Sequence, residues 1–254
     1  MARRPRSLAA RLTRFVLRVL GVFILLVLLY QAWLFGWVVW YAHFPPASTP
    51  IMRAELSRLQ EKNPHRRIDF RWVDYPNISN QLKRAAIAAE DANFLEHDGI
   101  DWDAVERAYA YNRQLAEAAE RAAARGRKVA ARPIHGGSTI TQQVAKNLFL
   151  SNSRNYLRKA QEVVITYMIE LVMDKRRILE LYLNIAEWGE GVFGAEAAAR
   201  HYYGIPASKL SAPQAARLAS MLPRPRFYDQ HRGSAYLASR ADRVLRWMPD
   251  AAIP

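Results

Sequence analysis

The run "YLRKAQEVVITYMIELVMDKRRILELYLNIA", residues 156–186, carries the strongest helical signal in the chain. Apolar residues recur every three to four positions along it, and no proline interrupts it. The spacing predicts one long helix, or one helix broken near its middle. Working outward, the same texture recurs. "PNISNQLKRAAIAAE", residues 76–90, predicts a helix capped by Asn77 or Ser79, with Leu82, Ala85, Ala86 and Ala89 as a small-residue face. A second helix is predicted over roughly 101–124. It runs into the basic, alanine-rich stretch "AAERAAARGRKVAARP", which has little to pack with and reads as a mobile loop. "GGSTITQQVAKNLFL" predicts a Gly-Gly loop and then a helix, with Thr139 and Gln142 at capping-box spacing. No internal repeat and no βαβ alternation is visible, so the fold class is mostly α.

Nearer the N-terminus the texture changes. "VLGVFILLVLLYQAWLFGWVVWYA", residues 19–42, has no charged residue. A bilayer core needs about 20 apolar residues in a helix, and this run meets that. Trp33, Trp37, Trp40 and Tyr41 form an aromatic belt at its distal end. A signal peptide would have a shorter apolar region and a small-residue cleavage site. The run therefore reads as an uncleaved transmembrane helix. Six arginines and no acid precede it, which predicts a cytoplasmic tail over 1–18. The expected organisation is then tail 1–18, span 19–42, linker and juxtamembrane segment 43–64, and an outer, periplasmic domain over 65–254 at the cell inner membrane. "HFPPASTP" is a stiff linker, "IMRAELSRLQEK" a short amphipathic helix, and "RIDFRWVDY" a short strand or extended segment.

The formal net charge is +14, and the six leading arginines leave +8 elsewhere. A basic chain wants an anionic partner. A domain outside the membrane argues against nucleic acid and for headgroups, envelope polymers or lipid-linked phosphates. There is no cysteine, which excludes disulfides and cysteine-ligated metals.

Candidate chemistry sits in three places. In "AAIAAEDANFLEHDG", residues 85–99, Glu90 ends its helix. There the macrodipole and an apolar surround both raise a carboxylate pKa toward the range of a general base. The bland reading is that Glu90 and Asp91 are solvated. Phe94 reads as core and His97 as a turn residue. In "HGGSTITQQ", a flexible loop with hydroxyls and amides precedes a helix N-terminus, a place that favours phosphates. A P-loop lysine is absent. Lys146, Arg154, Arg158 and Lys159 follow as a cationic series. It suits a diphosphate, or equally a solvated face. In "RKAQE", Glu162 shares one helical side with Arg158 and Lys159, and the pattern on its own favours a structural ion pair. Glu180 and Asn184 read as structural support. "GEGVFG", residues 189–194, satisfies G-x-G-x-x-G, but the segment before it reads as helix, not strand, so a dinucleotide site is rejected. Its glycines are expected in a tight helix-to-helix turn.

Taken in order, these blocks resemble glycosyltransferase family 51, the peptidoglycan polymerase module. The matching residues are Glu90, Asp91, Phe94, His97 and Gly99; Gly136 to Gln143 with Lys146 and Asn147; Arg158, Lys159 and Glu162; "RRILELYLN"; and "GVFGAEAAARHYYG". The likeness runs from about residue 65 to 245. Gln214 departs from the glutamate common there, outside the catalytic blocks. "NIAEWGEGVFGAEAAARHYYG", and the lack of transpeptidase elements after "LASMLPRPRFY", resemble the monofunctional branch.

The resemblance implies a lysozyme-like, two-lobed helical domain that polymerises lipid II into β-1,4-linked glycan with inversion, releasing undecaprenyl diphosphate. Glu90 would be the base. Glu162 would orient the cations or help hold a divalent ion. Lys146, Arg154, Arg158 and Lys159 would neutralise the diphosphate. Ser138, Thr139, Gln142 and Gln143 would bind donor sugar or phosphate, with Asp91 in support. The basic loop 112–132 would close over the donor. The resemblance permits Mg2+ or Mn2+ on the substrate diphosphate, and the sequence has no dedicated cage for either. Partners would be lipid II, lipid-linked glycan, the membrane, and other cell-wall synthesis and division proteins. The competing readings are a muramidase-like lyase, which needs no diphosphate site, and a catalytically silent scaffold.

Overall fold

The computed structural model describes residues 8–125, 137–151, 153 and 155–254. The chain divides into two compact units, Met1–Phe44 and Pro45–Pro254. The first unit holds α1 (Leu8–His43). This helix is long and apolar enough to cross a membrane. It exposes Phe23, Leu26, Leu28 and Leu29, an arrangement that water penalises and lipid does not. Near its end Trp37 stacks on Tyr41, and Trp40 stacks on Phe44.

The second unit is mostly helical. It begins with α2 (Pro50–Lys62), started by proline after Thr49, whose hydroxyl accepts from Met52 N. A short β1 (Asp69–Phe70) and a 3-10 turn follow. Next come α3 (Asn80–Glu90), α4 (Trp102–Ala124), α5 (Ile140–Phe149), α6 (Tyr156–Val172) and α7 (Lys175–Ile185). Ser79, not Asn77, caps α3. The opening run is indeed broken. It breaks at Met173–Asp174, where Asp174 caps α7 by accepting from Arg177 N. A hairpin of β2 (Glu187–Gly189) and β3 (Val192–Phe193) leads to α8 (Ala195–Tyr203), α9 (Ala212–Met221), α10 (Pro225–Gln230) and α11 (Ala235–Trp247).

Two helix groups make the core. α3 packs on α9 and α11, and α5 packs on α6 and α7. Ala85 and Ala86 on α3 face Ala-rich α9, where Ala215, Ala216 and Ala219 are also buried, so the backbones approach closely. Ala89 is only half-buried. It leaves the expected small-residue face and lines a cleft instead.

Two expectations are corrected. "GEGVFG" is no helix-to-helix turn: Gly189 ends β2 and Gly191 precedes β3 in a hairpin, and β1 lies parallel to β3 in a sheet of order β1-β3-β2. Residues 112–124 continue α4, as the helix predicted over 101–124 has it, and are not part of the loop expected over 112–132. Alanines with good helix propensity and the Glu117 pairs to Arg113 and Arg121 hold them there, although α4 buries no residue fully. Residues 126–132 of that stretch lie outside the described residues.

Asn184 ties the two levels together. Its amide accepts from Val73 N and donates to Val73 O, both at 2.9 Å, and Glu180 accepts from Tyr75 N. Both residues give structural support, as read from sequence. Gly194 starts α8 at φ +86, where an added Cβ would stand 2.6 Å from the Asn184 carbonyl oxygen. Gly194→Ala is therefore expected to cost roughly 2–4 kcal/mol. A thermal melt of the full chain in detergent checks this; an unshifted midpoint would refute the packing account.

Candidate active site

The site begins where α3 stops. Glu90 is its last residue and Asp91 its C-cap, with Asp91 N bonded to Ile87 O. The chain then turns tightly through Phe94, which is fully buried, to His97 and Gly99. His97 Nδ1 accepts from Gly99 N at 3.1 Å. That assignment leaves the ring proton on Nε2, which lies 2.9 Å from Asp91 Oδ1 and donates to it. The second Asp91 oxygen accepts from Ile140 N, the first amide of α5, at 2.9 Å. A carboxylate there also meets the positive end of the α5 dipole.

Around this joint the loop before α5 is closed. Thr139 and Gln142 form the capping box read from the sequence. The Thr139 hydroxyl also donates to Gly99 O at 2.6 Å. Gly99 has φ +90, and a Cβ there would meet Thr166 Cγ2 at 2.6 Å, so the turn needs glycine. Lys175 closes the far side, donating to His97 O at 2.6 Å and pairing with Glu170 at 2.8 Å. Thr141 donates to Glu170 as well.

The Glu90 side chain is 12 % exposed. Gln143 Nε2 donates to its Oε2 at 3.0 Å, and Tyr182 OH donates to Gln143 Oε1 at 3.4 Å, which orients that amide. Arg240, on α11, reaches to 3.6 Å from Oε1. Burial pushes the Glu90 pKa above its ordinary 4.5; the Gln143 hydrogen bond and the Arg240 charge oppose this, Asp91 adds to it, and Lys146 opposes it.

Beside Glu90 lies a hollow of about 340 Å³, whose lining includes Ser138, Gln143, Lys146, Arg158, Lys159 and Glu162. Glu162 is 3 % exposed and clamped between two cations, with Arg158 Nη1 at 2.5 Å and Lys159 Nζ at 2.5 Å. Lys159 also reaches Ser138 Oγ at 3.5 Å. The Nε of Arg158 is buried with no hydrogen-bond partner among the described residues. Burial lowers the Lys146 pKa; Glu162 and Glu90 raise it, and Arg158 and Lys159 lower it further. A second hollow of about 220 Å³ carries Glu90 and Asp91 and shares Ser138 with the first. The arrangement sets a largely buried carboxylate beside a cation-lined floor.

Residues 55–249 match the family model of the transglycosylases. The chain belongs to the transglycosylase family. A protein of Bordetella pertussis (strain Tohama I) named biosynthetic peptidoglycan transglycosylase is 55 % identical over 252 residues, covering 98 % of this chain and 100 % of the relative. One of that name from Herminiimonas arsenicoxydans is 59 % identical over 231 residues, covering 91 % and 94 %. One from Laribacter hongkongensis is 51 % identical over 241 residues, covering 95 % and 99 %.

The fold brings together nearly all the residues singled out in the sequence. Ser138, Gln142, Gln143, Lys146, Arg158, Lys159 and Glu162 line one hollow, and Glu90, Asp91 and Thr139 line the next. Arg154 lies outside the described residues. Asp91, Thr139 and Gln142 spend their side-chain oxygens on the protein's own backbone and on His97. Arg240, Glu170 and Lys175 were missed. Arg240 comes from α11, far from Glu90 in sequence, and no local spacing announces it.

The raised Glu90 pKa has a consequence for stability. The native carboxyl holds its proton more tightly than the unfolded one. Stability is therefore lost as pH rises from about 4.5 through the native value, and the cost persists above it. Glu90→Gln removes that cost. The variant is expected to melt higher than the wild type at about pH 7.5, with the gap closing at about pH 4. An equal or lower melting point at the higher pH would contradict the burial argument.

Proposed function

We propose that the Glu90 cleft polymerises lipid II, with Glu90 as general base and the cationic floor as the diphosphate site. The chain is a peptidoglycan glycosyltransferase by family; the residue roles are our reading. The observation that carries it is one buried carboxylate of raised pKa, held by Gln143, whose own side chain lines the hollow with Lys146, Arg158 and Lys159.

The donor is a growing glycan on undecaprenyl diphosphate and the acceptor is lipid II. Glu90 takes the proton of the acceptor 4-hydroxyl. That oxygen bonds to the donor anomeric carbon from the face opposite the diphosphate. The bond from that carbon to the diphosphate oxygen breaks, and its electron pair leaves with the lipid diphosphate. Attack from the opposite face turns an α-linked donor into a β-1,4 product. Lys146, Arg158 and Lys159 neutralise the leaving group, and the unpartnered Arg158 Nε–H offers a further donor to a phosphate oxygen. Ser138 and Gln143 complete the polar lining. Glu162 positions two of the cations. Asp91, Thr139 and Gln142 position the two helix ends.

Both Glu162 oxygens are engaged by Arg158 and Lys159, and no group of three His, Cys, Asp or Glu among the described residues is placed to hold a metal ion. The donor set does not fit a protein-held divalent ion, and we assign no step to one. α1 supports a membrane anchor. The arginines before it favour a cytoplasmic N-terminus and a periplasmic cleft at the inner membrane, where both lipid substrates reside. Tethering there raises the effective concentration of enzyme and substrate. Cell-wall synthesis and division proteins are the partners this location suggests.

Glu90→Gln is expected to lower lipid II polymerisation by about 10²–10⁴-fold. In the wild type, the rate should fall on the acid side with a midpoint above 4.5, because the base works only as carboxylate. Near-normal polymer from Glu90→Gln would remove Glu90 from the role. Lys146→Ala is expected to reduce donor use by about 10²-fold with little change in melting point; unchanged kinetics would sink the diphosphate assignment. Release of fragments from existing sacculi, in place of new lipid-linked polymer, would instead indicate a lyase.

A further inference from the structure

Arg240 sits on the inward side of α11. It comes three residues after Leu237 and four before Val244, both buried, so the helix brings all three to one face. α11 packs on α9 and α3. The Arg240 side chain is 24 % exposed, and its Nε is buried with no hydrogen-bond partner among the described residues. Arg240 is in the lining of neither the Glu90 hollow nor the cationic floor. It reaches Glu90 from the protein side, not from the side a substrate would occupy.

The geometry is not that of a structural clamp. Elsewhere the chain closes arginines tightly onto carboxylates. Arg226 donates to the two Glu187 oxygens at 2.6 and 3.0 Å, and Arg58 to the two Glu55 oxygens at 2.8 and 2.7 Å. Arg240 Nη2 instead stands 3.6 Å from Glu90 Oε1, beyond hydrogen-bond length, and donates to Ala89 O at 3.4 Å. Glu90 Oε2 accepts from Gln143. Oε1 is thus left without a hydrogen bond among the described residues, with a positive charge beside it. A buried donor without a partner costs stability, and a closed pair would have gained more.

We infer that Arg240 is a positioning residue for the reaction: its charge holds Glu90 as the carboxylate, and its distance leaves Oε1 free to take the acceptor proton. The inference rests on the proposed role of Glu90 as base. Oε1 takes the proton of the acceptor hydroxyl, whose oxygen keeps the electron pair and bonds to the donor carbon. The resulting acid then loses that proton to water, a step that a neighbouring cation favours, and the base is restored. The other groups facing Glu90 do not supply this charge. Burial, the largest influence, disfavours the carboxylate; the Gln143 bond opposes it, then Arg240, the strongest of the charged neighbours. Asp91 adds to the burial effect, and Lys146 on α5 opposes it least. Burial keeps the Tyr182 phenol on α7 neutral. Asp101 and Arg107, at the start of α4, line the Glu90 hollow as an opposed pair.

The test follows lipid II polymerisation by the full-length chain in detergent from about pH 5 to 9. Arg240→Met keeps the length of the stem and removes the charge. Its acid limb is expected to move up by about one unit, so the rate below the wild-type midpoint falls roughly tenfold. At about pH 9 the rate should return to within about twofold of wild type, with KM for lipid II unchanged. Arg240→Lys should keep the wild-type midpoint. A second readout needs no activity. The melting-point gain from Glu90→Gln at about pH 7.5 should be larger in the Arg240→Met background than in wild type, because the carboxylate there costs more. An unmoved acid limb overturns the inference, as does an equal gain in both backgrounds. A loss that is the same at every pH also overturns it, since a structural role then accounts for it. So does a raised KM with the limb in place, which makes Arg240 a substrate contact. If Arg240→Met does not fold, Arg240→Gln carries the same measurements. Near-normal polymerisation by Glu90→Gln overturns the parent reading; an inactive Glu90→Gln with an unmoved limb in Arg240→Met overturns the role of Arg240 alone.

Discussion

The Asp91 carboxylate joins the end of one helix to the start of another. One oxygen takes the first amide of α5 and the other takes the His97 ring. Both ends of the joint benefit. The positive end of α5 gains an anion, and the turn from α3 gains a fixed exit direction. Because Asp91 directly follows Glu90, the joint also decides where Glu90 points. Because Ile140 begins α5, it decides where Gln143 and Lys146 stand, one and two turns along. Glu90, Gln143 and Lys146 are therefore set by a single junction.

The electrostatics of the cleft run in two directions at once. Burial raises the Glu90 pKa and makes its charged form a cost to stability. Burial lowers the Lys146 pKa, and the nearby charges of Glu162 and Glu90 oppose this. Glu162 limits the repulsion by holding Arg158 and Lys159 on its two oxygens.

Much of this was legible in local pattern. The apolar run before residue 43, the helix capped by Thr139 and Gln142, and the shared face of Arg158, Lys159 and Glu162 follow from spacing alone, because helix geometry relates residues three and four apart. Other features escaped. "GEGVFG" read as a helix-to-helix turn, yet it is a hairpin. Its strands are two or three residues long, too short to show alternation, and they exist because β1 pairs with β3 across more than a hundred residues. Residues 112–124 fell both within the helix predicted over 101–124 and within the loop 112–132 that the resemblance implied; intrinsic propensity and the Glu117 ion pairs keep them helical to Ala124.

The sequence by itself determined which segments are helical, which helix is apolar enough for a membrane, and which carboxylates and cations were available for chemistry. Local rules govern those, since propensity, capping and period act over a few residues. The tertiary structure alone decided how the Glu90 and Asp91 side chains are engaged. Only packing α3 against α5 engages Asp91 with an amide and a histidine, and leaves Glu90 buried beside Gln143. It alone brought Arg240 from α11 to Glu90, and set Trp247 and Asp250 beside Ala88 and Ala92. Such contacts join residues far apart in the chain, and their free energy depends on burial and distance, which no local spacing encodes.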